Sequence, residues 1–135
     1  MLNAVQNGKD TDVSDDISKL PPQVQERLLR HQQLQQSLQS ILVQKQQVEL
    51  EQTEVEQALT ELQKLGDDAV VYKATGSLMV KAEKPRLTTE LAERKELLAA
   101  RVSILAKQEE RVRSQLKEVQ TKLQQDFTPI SQPTQ

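Results

Sequence analysis

The chain contains no cysteine in 135 residues, so neither a disulfide framework nor thiolate chemistry is open to it. It has no tryptophan, and Tyr72 and Phe127 are its only aromatic residues. Globular cores take much of their buried area from aromatic side chains, so an ordinary globular core is not expected. An excess of positive charge is missing as well: 18 Lys and Arg stand against 20 Asp and Glu. Proteins that neutralise phosphates carry a basic surplus, which argues against a nucleic-acid partner. No apolar run approaches the roughly 20 residues that cross a bilayer. Residues 1–19 lack an apolar signal core, so the chain is expected in the cytoplasm, away from membranes.

Chemistry is as scarce as aromatics. His31 is the single histidine, and there is no glycine-rich phosphate loop and no paired histidine for a metal. No enzyme activity, metal or cofactor is therefore expected. Glu49, Glu51, Glu54 and Glu56 read as a solvated helix face, and Asp67 and Asp68 as a polar link between helix and strand.

What is present is helix-forming. Gln alone accounts for 21 residues, beside abundant Glu, Lys, Leu, Arg and Ala. The breakers fall at a few places. Pro21 and Pro22 precede one uninterrupted stretch, Gly66 follows its end, and Pro85 opens a second stretch that lasts until Pro129. Proline suits a first helical turn, where its missing N–H would be unpaired anyway. Gly66 suits a left-handed helix stop. The pattern predicts a polar, disordered leader over 1–19, a coiled-coil domain over 20–128 and a flexible tail over 129–135. Within the domain it predicts helices over 22–65 and 86–127 around a β-hairpin over 69–83.

Both helical stretches carry apolar residues on a register of alternating three- and four-residue steps. Leu20, Val24, Leu34, Leu38, Ile41, Val48, Val55, Leu59 and Leu62 follow it in the first. Leu91, Leu98, Val102, Leu105, Val112, Leu116, Val119 and Leu123 follow it in the second. A sustained 3.5-residue period keeps one seam facing a partner helix. Folded back antiparallel, the seams set Leu62 against Leu91, Val55 against Leu98, Val48 against Leu105, Ile41 against Val112 and Leu34 against Val119. The same register sets Lys45 against Glu109 and Arg27 against Asp126, two ion pairs expected to hold the register. His31 falls opposite Leu123, as a seam residue.

The central segment breaks the heptads with two short β-rich runs around Thr75-Gly76. With Thr75-Gly76 as the loop, Val71 faces Val80 and Tyr72 faces Met79, and apolar side chains fall on both faces. A lone hairpin is marginal in water and leaves both edges open, so strands from other chains are expected to complete it. Exposed apolar residues remain elsewhere. Leu42, Val43 and Leu50 lie off the seam. Leu20, Val24, Leu28, Leu29, Phe127 and Ile130 gather where the two helices begin and end, a candidate binding surface.

Several stretches resemble prefoldin beta subunits. They are Leu20 to Gln25 (LPPQVQ), His31 to Gln36 (HQQLQQ), Ile41 to Glu49 (ILVQKQQVE) and Lys107 to Arg111 (KQEER). The most specific is the hairpin run DDAVVYK at 67–73, with Gly76 and Leu78 to Lys81 after it. The resemblance covers residues 20–125 in order. It implies a mainly α fold: a long antiparallel two-helix coiled coil whose central β-hairpin completes a β-barrel on oligomerisation. It implies a hexamer of two alpha and four beta subunits, and the single hairpin places this chain with the beta type. The function it implies is that of an ATP-independent holdase, which captures unfolded polypeptides and delivers them to a group II chaperonin. On this resemblance Val70, Val71, Tyr72, Leu78, Met79 and Val80 serve assembly, and the residues gathered at the helix ends serve client capture. The alternative is a structural or tethering coiled coil without clients; a spacer, however, has no use for strands that are apolar on both faces.

Overall fold

The computed structural model describes residues 17–128. Helix α1 runs over Pro22–Gln63, strand β1 over Val71–Thr75, strand β2 over Leu78–Ala82 and helix α2 over Lys84–Phe127. The fold is mainly helical, with one antiparallel hairpin between two long helices. The predicted tail and most of the predicted leader lie outside the described residues.

Two compact units divide the chain. The first joins the start of α1 to the end of α2, up to Gln39 and from Glu110. The second, Ser40–Glu109, holds the remainder of both helices and the hairpin. In the first unit Val24, Leu34, Leu116 and Leu123 are buried. All four are seam positions, so the narrow 3.5-residue stripe is what the helices bury. In the second unit Val48, Val55, Leu98 and Leu105 form one buried cluster, with Ile41, Leu59, Leu91 and Val102 packed against it. Leu98 is completely buried. Position 97, next to it in sequence but off the stripe, is 51% exposed.

Local chemistry explains how the helices start and stop. The Pro21 carbonyl accepts from the amides of Val24 and Gln25 at 3.0 and 3.1 Å, which places Pro22 in the first turn of α1. Just before it, the Leu20 amide donates to the Ile17 carbonyl at 3.1 Å. The Gln25 side chain donates to the carbonyls of Ser18 and Leu20, at 3.1 and 2.7 Å, and so pins that turn to the helix. The far end of α1 differs from the expectation of a glycine stop. Gly66 does not take a positive φ. Instead Lys64 and Leu65 donate to the carbonyls three residues back, at 3.2 and 3.1 Å, tightening the final turn. The Leu65 carbonyl then accepts from Lys84 Nζ at 2.6 Å. A lysine ammonium at a helix C-terminus satisfies an orphan carbonyl and meets the negative end of the helix dipole. The α2 helix begins with Leu87 donating to Glu83 at 2.9 Å, and Pro85 sits in its first turn.

The burial contrast sets a test of the seam. Leu98→Ala should destabilise the fold by about 2–5 kcal/mol, the usual range for emptying a closed site. Leu97→Ala should stay within about 0.5–1 kcal/mol, because half of that side chain is already in water. Urea denaturation followed by circular dichroism, at one fixed protein concentration, separates the two.

Candidate functional surfaces

The hairpin is the first surface. Its register pairs Val71 with Ala82, Tyr72 with Lys81, Lys73 with Val80, Ala74 with Met79 and Thr75 with Leu78. The expected pairs Val71–Val80 and Tyr72–Met79 are therefore corrected: the loop is Gly76-Ser77, not Thr75-Gly76. Gly76 has φ 61°, and no residue other than glycine has positive φ among the described residues. Positive φ at the first loop position alone is the II′ arrangement, whose twist matches that of the flanking strands. The true register differs from the expected one by two residues, so every side chain keeps its face. Val71, Val80, Leu78 and Ala82 share one face, and Tyr72, Ala74 and Met79 share the other.

Only the start of this hairpin is packed. Val71 is buried and Ala82 half-buried, whereas Leu78 and Met79 are 66% and 67% exposed. Val70, Tyr72 and Val80 are exposed as well. The sheet has two strands in the order β1–β2, so both outer edges carry unpaired backbone groups. Lys73 ties the hairpin to α2 through an ion pair with Glu90. Lys84 adds a second tie, to Asp67 Oδ1 at 3.3 Å, so Asp67 is an anchor for a lysine.

The second surface lies where α1 begins and α2 ends. Of the residues expected there, Leu29 and Phe127 are open to solvent, each 55% exposed. Val24 is instead taken up by the seam, and Leu20 and Leu28 are half-buried. Ile130 lies outside the described residues. Ile17 adds an exposed apolar side chain that the sequence pattern did not single out, because it sits in the polar leader. Outside this end, Val43 and Leu50 of α1 are exposed and Leu42 is half-buried. Leu97 and Ile104 of α2 are also exposed, and sequence reasoning missed both.

Polar contacts across the helix pair accompany the apolar stripe. Lys45 Nζ lies 3.0 Å from Glu109 Oε1. Arg27 Nη1 lies 2.6 Å from both carboxylate oxygens of Asp126. A third pair, Arg94 with Glu51, bridges the helices at 2.7 Å and escaped the sequence reading. Both of its residues immediately precede a seam position, which is where flanking ion pairs form in a coiled coil. His31 Nε2 lies 3.2 Å from Gln120 Nε2, a contact between the two helices. Among the described residues no three acidic or histidine side chains converge as a metal site. Among them, too, no helix is long and apolar enough to cross a membrane.

This arrangement of helix, single hairpin and helix has relatives. The prefoldin subunit family model matches residues 25–129. The chain belongs to the prefoldin subunit family. It is 50% identical to the prefoldin subunit beta of Methanothrix thermoacetophila over 109 residues, which are 81% of this chain and 91% of that one. With the prefoldin subunit beta of Archaeoglobus fulgidus it shares 45% identity over 113 residues, 84% of this chain and 97% of that one. The crystal structure of the prefoldin beta subunit from Thermococcus strain KS-1 is similar, with a TM-score of 0.71 at 44% identity. That match covers 78% of this chain and 93% of the other. The prefoldins are a chaperone family, and the likeness here is to their beta subunits.

The cross-helix pairs set a second test. Lys45→Glu should lower stability by about 1 kcal/mol through like charges at the seam, and adding Glu109→Lys should restore most of it. A double-mutant cycle from denaturation midpoints reads the coupling. A swap that restores nothing would mean that the two charges do not act on each other.

Proposed function

We propose that this chain is the beta-type subunit of an ATP-independent holdase with two alpha and four beta subunits. Prefoldin beta subunits form hetero-oligomers with alpha subunits, and the hairpin suits this chain to the same role. Tyr72, Leu78, Met79 and Val80 project into solvent from both faces of a two-stranded sheet with open edges, and Val70, just before β1, is exposed as well. A two-stranded sheet is marginal alone, and pairing its edges with strands of other subunits satisfies the backbone while covering these side chains. The exposed hairpin is the observation that carries the proposal, and completion of β-barrels on oligomerisation is the outcome it favours.

Client capture falls to the helix ends. Leu29 and Phe127 offer open apolar surface there, with Leu20 and Leu28 half-buried beside them. One such cluster binds an unfolded segment weakly, since each side chain contributes about 1.5–3 kcal/mol at full burial. Several clusters in one complex add as avidity and hold a chain without a chemical energy source. Release to a group II chaperonin in the cytoplasm completes the proposed cycle. In this reading residues 20–128 are the coiled-coil domain, residues 1–19 its leader and residues 129–135 its tail.

The test is light scattering from a chemically unfolded client diluted into buffer without ATP. The complex with its alpha-type partner should suppress aggregation. Substituting Leu29→Ser and Phe127→Ser together should raise the amount needed by at least about threefold, given the lost apolar area and its repetition over subunits. Sedimentation should show the oligomer intact. Full suppression by the substituted complex would remove the helix ends from client binding.

A further inference from the structure

The charges of this chain are unevenly shared. In the described part of the first unit, over 17–39 and 110–128, seven basic side chains stand against four acidic ones. The second unit has ten basic and twelve acidic. Residues 1–16 have a single lysine and four aspartates, at 10, 12, 15 and 16. An acidic segment therefore adjoins the basic unit directly in sequence. The family match begins at residue 25, so this segment is outside the shared part of the chain.

The basic unit has a place for it. Arg27, Arg30 and Lys122 line one open groove of about 360 Å³ between the start of α1 and the end of α2, with Glu26 and Glu118 as its acidic members. Arg27 is committed to Asp126 and Lys122 to Glu118. Arg30 has no ion-pair partner among the described residues. Lys122 is still half exposed, at 49%, so its pairing leaves it open to a second carboxylate. The reach suffices. Asp10 lies seven residues before Ile17, roughly 23 Å of extended chain; Arg30 lies roughly 12 Å along α1 from Pro22, and the turn closed by the Leu20 amide on the Ile17 carbonyl shortens the stretch between Ile17 and Pro22. Carboxylates placed this close to Arg and Lys interact within a Debye length of about 8 Å at physiological salt. Tethering makes the encounter intramolecular, so weak pairs suffice.

We propose that the Asp10–Asp16 segment docks on the groove lined by Arg30 and Lys122 of its own chain, and competes there with acidic segments of other polypeptides. The contact does not depend on the capture reading. Its effect on clients does, and takes the form of a preference against acidic unfolded chains.

Two measurements on the full chain test it. A carbodiimide cross-linker joins carboxylates to amines only in contact. Applied to a mixture of ¹⁵N-labelled and unlabelled chains, it should give amide links from Asp10 or Asp12 to Lys122 within single chains. Absence of these links, or links found only between labelled and unlabelled chains, would overturn the proposal. The second is anisotropy with a fluorescent ten-residue polyglutamate at low salt. The D10N/D12N/D15N/D16N variant should bind it three- to tenfold more tightly than the parent. The E49Q/E54Q/E56Q/E96Q variant, with the same change in net charge elsewhere, should stay within twofold of the parent. Equal tightening in both variants would reduce the leader to general charge and overturn docking. The cross-link result stands whether or not the helix ends hold unfolded clients, so failure of one reading is distinguishable from failure of the other.

Discussion

Leu98 is completely buried because a helix from the other half of the chain presents Val48 and Val55 to it, with Leu105 one heptad further along α2. That stripe is the contact on which the molecule depends. A pair of helices buries one narrow strip on each and leaves the remaining surface wet, so neither has a second face to fall back on. The strip accounts for the composition: with no thick core to fill, aromatic residues have no use inside, and their near absence costs nothing. It also dictates where the polar groups stand. Lys45 and Glu109, and Arg27 and Asp126, occupy the strip itself, and Arg94 and Glu51 flank it. Each pair is partly exposed and contributes little to stability, about 0–1 kcal/mol. Their better use is discrimination, because a slip by one heptad would break both seam pairs and set Lys45 against Val102 or Leu116.

The hairpin works under the opposite condition. Its strands leave the strip after Val71, and most of their apolar side chains have nothing beside them in a single chain. Lys84 and Lys73 hold it against the helices through Leu65, Asp67 and Glu90, which fixes its base without covering its faces. An element anchored at its base and bare over its faces is suited to joining with others of its kind. The helix ends repeat the theme in smaller measure, with Leu29 and Phe127 bare beside a buried Val24.

Much of this could be read from the sequence, and the physical reasons are specific. The seam was legible because its period differs from every other pattern in the chain. The Lys45–Glu109 match was legible because two residues of opposite charge meet in registers that are mostly apolar. The hairpin register was not, since Gly76 fits either loop position on paper, and the II′ geometry decides between them through strand twist. The end of α1 was misjudged because a glycine beside a helix terminus suggests a left-handed cap. Here a lysine about twenty residues downstream does the capping, a contact with no local signature. Among the surface residues, Val24 lies on the seam period and is buried accordingly; membership of the end cluster did not make it available. Leu97 and Ile104 were overlooked because exposure on an outer face follows from three-dimensional neighbours, not from spacing alone.

The most direct measurement of the account is amide hydrogen exchange over residues 70–82, in the chain alone and in the complex with its alpha-type partner. The amides on the open edges of β1 and β2 should exchange freely in the isolated chain and become strongly protected in the complex, as strands of other subunits pair with them. Seam amides near Leu98 should be protected in both. Equal, rapid exchange of the hairpin amides in an intact complex would contradict assembly through the hairpin.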